Sequence, residues 1–315
     1  MGAVAPLAVL VLSLAMRPGM AYNKRMDNED QKLDQMDGGA AVKIPAYTPV
    51  AVPPSHFATA PLPPAPTNRV TNQTTAKPVI AAYRLSVAMP VFNEKATLRE
   101  ILQRILHVEQ AHGLPLEIIL VDDGSTDGTR EILRNEIEGK WANVHVYYHD
   151  KNAGKGAAII TAITHATGEF LIVQDADLEY DPSQYPELIQ PLIDGTTDVV
   201  YGSRFKGSVA NMKAANLLAN RILTIAANLL FPGCRLSDEA TCYKTFRLSF
   251  LKTIPLRARR FDFCPEITSK VLKRGHRIVE VPIRYSARTM AQGKKIRWTD
   301  GLDALFALIK YKFVD

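Results

Sequence analysis

From Tyr83 onward the chain alternates short, uniformly apolar runs with segments whose apolar residues recur at helical spacing, a pattern that few folds accommodate. Leu85-Ser86-Val87-Ala88-Met89, bounded by Pro90, reads as a buried strand. Leu98, Ile101, Leu102, Ile105 and Leu106 then repeat at helical spacing until Gly113-Leu114-Pro115 ends the segment. Ile118-Ile119-Leu120-Val121 is the next strand. The rhythm continues with a helix from about Thr129, a strand over 145–148, a helix over 155–167 and the strand Phe170-Leu171-Ile172-Val173-Gln174. Strands apolar on both faces and alternating with helices predict an α/β fold with a mostly parallel central sheet covered by helices on both faces. Ligands of such sheets bind beyond the carboxyl ends of the strands. The polar clusters that follow the strands are therefore the candidate site.

The first 82 residues lack this rhythm. Residues 1–26 include an apolar stretch of signal-peptide length, too short to span a bilayer comfortably and without a basic leading region. A signal, an anchor, or a true start at Met20 or Met26 all fit it, and export is not the expectation. Residues 27–82 turn polar and then proline-rich, which predicts a disordered linker. The folded domain is expected over 83–315. Cys234, Cys242 and Cys264 lack zinc-ligand spacing, so a reduced compartment with thiols packed in the fold is the expectation. The net charge of +6 suits an anionic partner. A nucleic acid is not expected, because no basic-aromatic interleaving or reader motif accompanies the charge.

Four polar clusters fall at strand ends: Pro90-Val91-Phe92-Asn93-Glu94, Asp122-Asp123-Gly124-Ser125-Thr126-Asp127-Gly128, Lys151-Asn152-Ala153-Gly154-Lys155-Gly156 and Asp175-Ala176-Asp177. No G-x-G-x-x-G follows the first strand, and Gly154-Lys155 lacks the upstream glycine and following Ser or Thr of a P-loop. A dinucleotide oxidoreductase and a P-loop nucleotidase are thereby disfavoured. Asp122-Asp123-Gly124 reads equally well as a turn, and paired carboxylates at a strand end can be a solvated loop. The other reading of Asp175 and Asp177 is that both turn toward a hard cation bridging a diphosphate, with Glu179 joining directly or through water.

In this order and spacing the clusters resemble family-2 glycosyltransferases of the GT-A fold, particularly the dolichol-phosphate mannose synthase-like branch, over roughly 84–313. A lone D-x-D is a weak signal. The series P-x-F-N-E, V-D-D-G-S-x-D-G-T, N-x-G-K-G-A-A and D-A-D is a specific one. The resemblance implies that Pro90, Phe92 and Glu94 hold the nucleotide, with Phe92 where the family usually has tyrosine. It implies that Asp122 and Asp123 contact base and ribose, that Lys155, Asp175 and Ala176 line the nucleotide-sugar site, and that Asp177 and Glu179 hold Mg²⁺ or Mn²⁺. Arg204, in Gly202-Ser203-Arg204, and Arg221 resemble acceptor-side arginines. Arg221 reads alternatively as a snorkelling residue of an amphipathic helix. Asp238 resembles the acidic residue that positions or deprotonates the acceptor, while Arg288 and Lys294 resemble the basic loop over the donor phosphates.

These roles imply a metal-dependent, inverting hexosyltransferase that uses GDP-mannose or UDP-glucose and a polyprenyl phosphate. The alternatives are transfer to a saccharide or other hydroxyl acceptor, and a non-catalytic nucleotide-sugar sensor, against which the intact Asp175/Asp177 pair with Lys294 speaks. The expected location is cytoplasmic, with peripheral contact to the membrane face. Two segments are candidates for that contact: the apolar run 214–231, and a C-terminal stripe of Leu302, Leu305, Phe306, Ile309 and Phe313 beside basic residues.

Overall fold

A computed structural model describes residues 80–288 and 298–314. Residues 1–79 lie outside it, and with them nearly all of the two N-terminal segments. Ile80–Ala82, counted above as linker, forms one 3-10 turn, and Ile80 packs against the core.

The predicted alternation is realised as β1 (Leu85–Val91), α1 (Leu98–His112), β2 (Leu116–Asp122), α2 (Thr129–Ile132), β3 (Val144–Tyr148), α3 (Lys155–His165) and β4 (Phe170–Val173). Each apolar run became a strand because its side chains are buried on both faces: β2 and β4 have no exposed residue. Gly113 ends α1 in the left-handed conformation, φ 61°, where the sequence places a breaker. The helix expected from Thr129 is only four residues of α-helix before it widens into a π turn over Leu133–Ile137.

The second half supplies α4 (Tyr185–Ile193), β5 (Val199–Ala210), α5 (Ala214–Leu230), β6 (Lys244–Arg247), α6 (Leu248–Leu251), α7 (Phe263–Lys273), β7 (Ile278–Ser286) and α8 (Trp298–Phe313). The seven strands form one sheet in the order β3-β2-β1-β4-β6-β5-β7. All neighbours run parallel except β6, which is antiparallel to both β4 and β5. The mostly parallel sheet is thus as expected.

Two apolar layers sandwich the sheet. One joins Leu98, Ile101 and Ile105 of α1 to Tyr185 and Leu188 of α4. The other joins Ala158, Ile159 and Ala162 of α3 to Phe263, Ile267 and Val271 of α7. A third, small cluster of Leu223, Ala227, Ala304 and Leu308 fastens α5 to α8. The order β2-β1-β4 places the ends of three parallel strands side by side, and the acidic clusters of the sequence gather there.

Candidate active site

The P-V-F-N-E segment leaves β1 and is tied at once to the loop after β2. Asn93 adopts φ 52°, accepts the Thr126 N–H at 2.8 Å and donates its own N–H to Ser125 Oγ at 3.0 Å. The Glu94 N–H reaches Thr129 Oγ1 at 2.9 Å. Asparagine tolerates the left-handed region that this turn needs. Glu94 is thereby aimed across β1 toward the end of β4.

Asp122 and Asp123, expected to meet base and ribose, are both buried and occupied within the fold. Asp122 accepts Arg130 Nε at 2.6 Å and the Ser125 N–H at 3.3 Å. Asp123 accepts the N–H groups of Ala153 and Gly154, each at 2.8 Å, and faces His149 Nδ1 at 2.8 Å. Burial alone would push the Asp123 carboxyl up, but these hydrogen bonds from His149 and the backbone outweigh it and hold it below the usual range. Asp123 therefore fixes the start of α3. Gly154, at φ 97°, allows the close approach, since a Cβ there would lie 2.3 Å from the Arg259 carbonyl oxygen.

That anchorage delivers Lys155. Its Nζ lies 2.6 Å from Asp175 Oδ1 and 3.1 Å from Cys242 Sγ. Burial would lower the ammonium's pKa, but Asp175 holds it well above the ordinary lysine value, and Lys155 in turn keeps Asp175 low. Asp175 is positioned through a buried residue that the motifs did not single out. Gln174 donates to the Asp175 carbonyl oxygen at 2.9 Å while its own oxygen accepts the hydroxyls of Tyr185 and Tyr243, each at 2.7 Å. A glutamine closing the apolar run Phe170-Leu171-Ile172-Val173 was the available signal. Ala176, expected to line the sugar site, buries its methyl in the core, which leaves the site only its backbone.

The turn at Asp177-Leu178-Glu179 is strained, with Leu178 at φ 64°, and it presents both carboxylates to one place. The side chain that meets them is Arg288. Its NH2 group is 2.9 Å from Asp177 Oδ2, its NH1 group is 3.0 Å from Glu94 Oε2, and its backbone N–H donates to Glu179 Oε1 at 2.7 Å. Tyr285 donates its hydroxyl to the other Glu179 oxygen at 2.5 Å. With its Nε 3.9 Å from Glu179 Oε1, the Arg288 guanidinium is surrounded by three carboxylates. Burial, Asp175 and Glu179 push Asp177 up to about 7 despite Arg288.

A hard divalent cation fits this donor set, with Arg288 as the cationic stand-in, although among the described residues no three acidic, His or Cys side chains converge into a ready-made cage. Completing the shell requires oxygens from a ligand. Lys294 lies outside the described residues.

The acceptor-side expectations meet a different geometry. Arg204 is buried and grips Asp238 through Nε and NH2, each at 2.7 Å, while its backbone N–H donates to the same carboxylate at 2.9 Å. Both Asp238 oxygens are taken and the residue is fully buried. The geometry speaks against the deprotonating half of the Asp238 expectation. Asp238 instead positions Arg204, whose guanidinium carbon lies 5.1 Å from the centroid of the Tyr285 ring. Arg221 is exposed on α5 and stacks on Phe205, with its guanidinium carbon 4.3 Å from the ring centroid. The apolar run around it is itself half exposed: Leu218, Ile222, Ile225 and Leu229 all face outward.

The frame of the candidate site is thus a mostly parallel sheet with one reversed strand, carrying strand-end carboxylates beside a lysine and an arginine. Residues 86–254 match the Glycosyl transferase family 2 domain, and the chain belongs to that family. It is 28% identical over 212 residues to the undecaprenyl-phosphate 4-deoxy-4-formamido-L-arabinose transferase of Edwardsiella ictaluri, covering 67% of this chain and 62% of that one. It is 30% identical over 214 residues to the dolichol-phosphate mannosyltransferase of Pyrococcus furiosus, covering 67% and 59%. The chain thus spans about three-fifths of the length of these relatives. In fold it is similar to glucosyl-3-phosphoglycerate synthase from Mycobacterium tuberculosis in complex with phosphoglyceric acid, with a TM-score of 0.59 at 18% identity over 75% of this chain and 82% of that one. The same synthase has also been solved with Mn²⁺, UDP-glucose and phosphoglyceric acid, with a TM-score of 0.56.

Proposed function

We propose that the protein transfers a hexose, mannose or glucose, from a nucleotide-sugar donor to a polyprenyl phosphate, with inversion and with the help of a divalent cation. The observation that carries this reading is the cluster of Glu94, Asp177 and Glu179 around Arg288, next to the Lys155–Asp175 pair. It has more carboxylates than cations, at the strand ends where a diphosphate would lie. Mg²⁺ or Mn²⁺ held by Asp177 and Glu179 would neutralise the charge that develops on the departing diphosphate. Arg288 competes for the same oxygens. On release from Asp177 and Glu94 its guanidinium is free to pair with the diphosphate, a charge-assisted contact suited to that group. Lys155 holds Asp175 ionised and oriented toward the nucleotide sugar.

In the transfer the acceptor oxygen attacks the anomeric carbon as the bond to the nucleoside diphosphate breaks on the opposite face. A phosphate monoester, with a second pKa of about 6, is largely dianionic at neutral pH and needs no general base. The locked Asp238 favours such an acceptor over a hydroxyl, which would have to lose a proton. Arg221, which has no ion pair among the described residues, is the exposed cation on that side.

The same side carries the apolar surface. Leu218, Ile222, Ile225 and Leu229 of α5 form a stripe four residues apart or nearly so, and Leu302, Phe306 and Phe313 lie exposed on α8, to which α5 is packed. Among the described residues no helix is long and apolar enough to cross a membrane. The exposed stripe with Arg221, Lys310 and Lys312 supports peripheral docking on a bilayer that presents the lipid acceptor, at the cytoplasmic face.

The deciding experiment is a donor screen with purified protein, a polyprenyl phosphate and Mn²⁺, reading which nucleoside diphosphate is released. Release that depends on the lipid phosphate is the expected result. Turnover with a saccharide instead would replace the acceptor, and donor binding without turnover would return the protein to the sensor class.

A further inference from the structure

The transfer reading leaves one feature at the donor site unused. Cys242 sits in the loop before β6, and its Sγ is 3.1 Å from Lys155 Nζ. Burial pushes the Asp175 carboxyl up, and Cys242, after Lys155, helps to hold it low. Cys264 is the second residue of α7, and its thiol reaches the Thr241 carbonyl at 3.7 Å, one residue from Cys242. The two thiols also lie close enough to act on each other's pKa, raising that of Cys242 and lowering that of Cys264. Both are free and partly exposed. Burial pushes the third thiol, Cys234, up, and neither of the other two thiols contributes to that shift.

We propose that Cys242 and Cys264 are a dithiol pair that hydroperoxides convert reversibly to a disulfide at the edge of the donor site, drawing Cys242 away from Lys155. Two features favour this pair. Cys264 lies in the first turn of a helix, where the backbone N–H groups favour the thiolate. Its thiol already reaches the carbonyl of the residue before Cys242, so closure needs a shift of the loop before β6. In the first step one thiolate attacks the peroxide; the O–O bond breaks, hydroxide or alkoxide leaves, and the sulfur becomes a sulfenic acid. In the second step the other thiol attacks that sulfur, the S–S bond forms and water leaves. The two electrons lost by the thiols reduce the peroxide.

Closure would act on two elements. Lys155 would lose a thiol contact beside Asp175, and the loop carrying Asp238 would be pinned to α7. The effect on transfer rests on the proposed function, whereas the covalent step does not.

The test uses the full chain, reduced, desalted and treated with hydrogen peroxide, then alkylated and digested with trypsin without reductant. The three cysteines fall in separate tryptic peptides, 222–235, 236–244 and 261–270. The expected product joins 236–244 to 261–270, disappears on treatment with dithiothreitol, and is absent from Cys264→Ser. Thiols that are merely over-oxidised without cross-linking, or a dominant cross-link through Cys234, would overturn the proposal. In the transfer assay the wild type should lose at least tenfold in rate on oxidation and regain it with dithiothreitol, while Cys264→Ser stays insensitive. A cross-link that leaves the rate unchanged would remove the effect on the donor site. If the protein transfers no sugar in any state, the transfer reading fails and the peptide result still decides the disulfide.

Discussion

Two acidic pairs flank β1, one at the end of β2 and one at the end of β4, and they resemble each other in sequence far more than in structure. Asp122 and Asp123 are matched by Arg130, His149 and three backbone N–H groups, so their charge is fully accommodated. Asp177 shares one guanidinium with Glu94 and Glu179 and is pushed up to about 7. The first pair builds the loop that carries Lys155. In the second pair Asp175 is matched by Lys155, but Asp177 must share Arg288 with Glu94 and Glu179, a shortage of positive charge that suits the proposed uptake of a cation. The same residue type at the same kind of position can thus serve as scaffold or as site, and the supply of local donors decides which.

The largest expected effect separates the two pairs. Asp177→Ala should abolish transfer, with less than about a tenth of the rate remaining, equivalent to roughly 1.4 kcal/mol or more of barrier. Its melting temperature should hold or rise, because a repelled carboxylate is removed. Asp123→Ala should instead lower stability by about 2–4 kcal/mol, since it strands two backbone N–H groups in a buried loop. Chemical denaturation of both variants checks this. Equal loss of stability in the two would erase the distinction.

A third acidic residue sharpens the comparison. Asp238 falls on the scaffold side, and Arg204→Ala, by leaving that buried carboxylate unpaired, should cost about 3–5 kcal/mol of stability. Arg221→Ala should leave stability unchanged and weaken saturation by a polyprenyl phosphate roughly tenfold, as for one lost charge-assisted contact of about 1.5 kcal/mol. Donor affinity is the control. An Arg221→Ala variant with normal acceptor saturation would take that residue out of the acceptor site.

Much of this was legible in the sequence because strand burial and motif spacing are local properties. The apolar runs located β1, β2, β3 and β4, and the four clusters did assemble at neighbouring strand ends. What could not be read was pairing across distance. Arg204 and Asp238 are 34 residues apart, and nothing in either motif says that one would saturate the other. Arg288 and Asp177 are separated by 111 residues, so an arginine expected on a diphosphate proved to occupy the carboxylates. Gln174 and Tyr285 act through side-chain hydrogen bonds, which leave no periodic trace. Arg221 shows the limit of burial arguments. An apolar run implies an interior only when other apolar surface covers it, and much of α5 is uncovered.

The smallest effect is a matter of pH, and the two pairs should answer it with opposite signs. Asp123, held below its ordinary value, contributes stability that is present above the unfolded carboxylate pKa of about 3.9 and is lost as the pH falls through its lower folded value. Asp177, raised to about 7, is favoured in its protonated form by the fold. Its contribution is full below about 3.9 and declines as the pH rises toward and through 7. A cation needs the ionised form, so binding below pH 7 must displace a proton from Asp177. Mn²⁺ affinity should therefore fall by up to about tenfold per pH unit below 7 and level off above it. Asp177→Asn should weaken Mn²⁺ binding and flatten its dependence on pH. Calorimetric titration with Mn²⁺ at pH 6, 7 and 8, in buffers of different ionisation enthalpy, counts the protons released. Wild-type affinity that stays constant from pH 6 to 8, with no proton release, would show that Asp177 is ionised throughout and that the second pair is as well supplied with donors as the first.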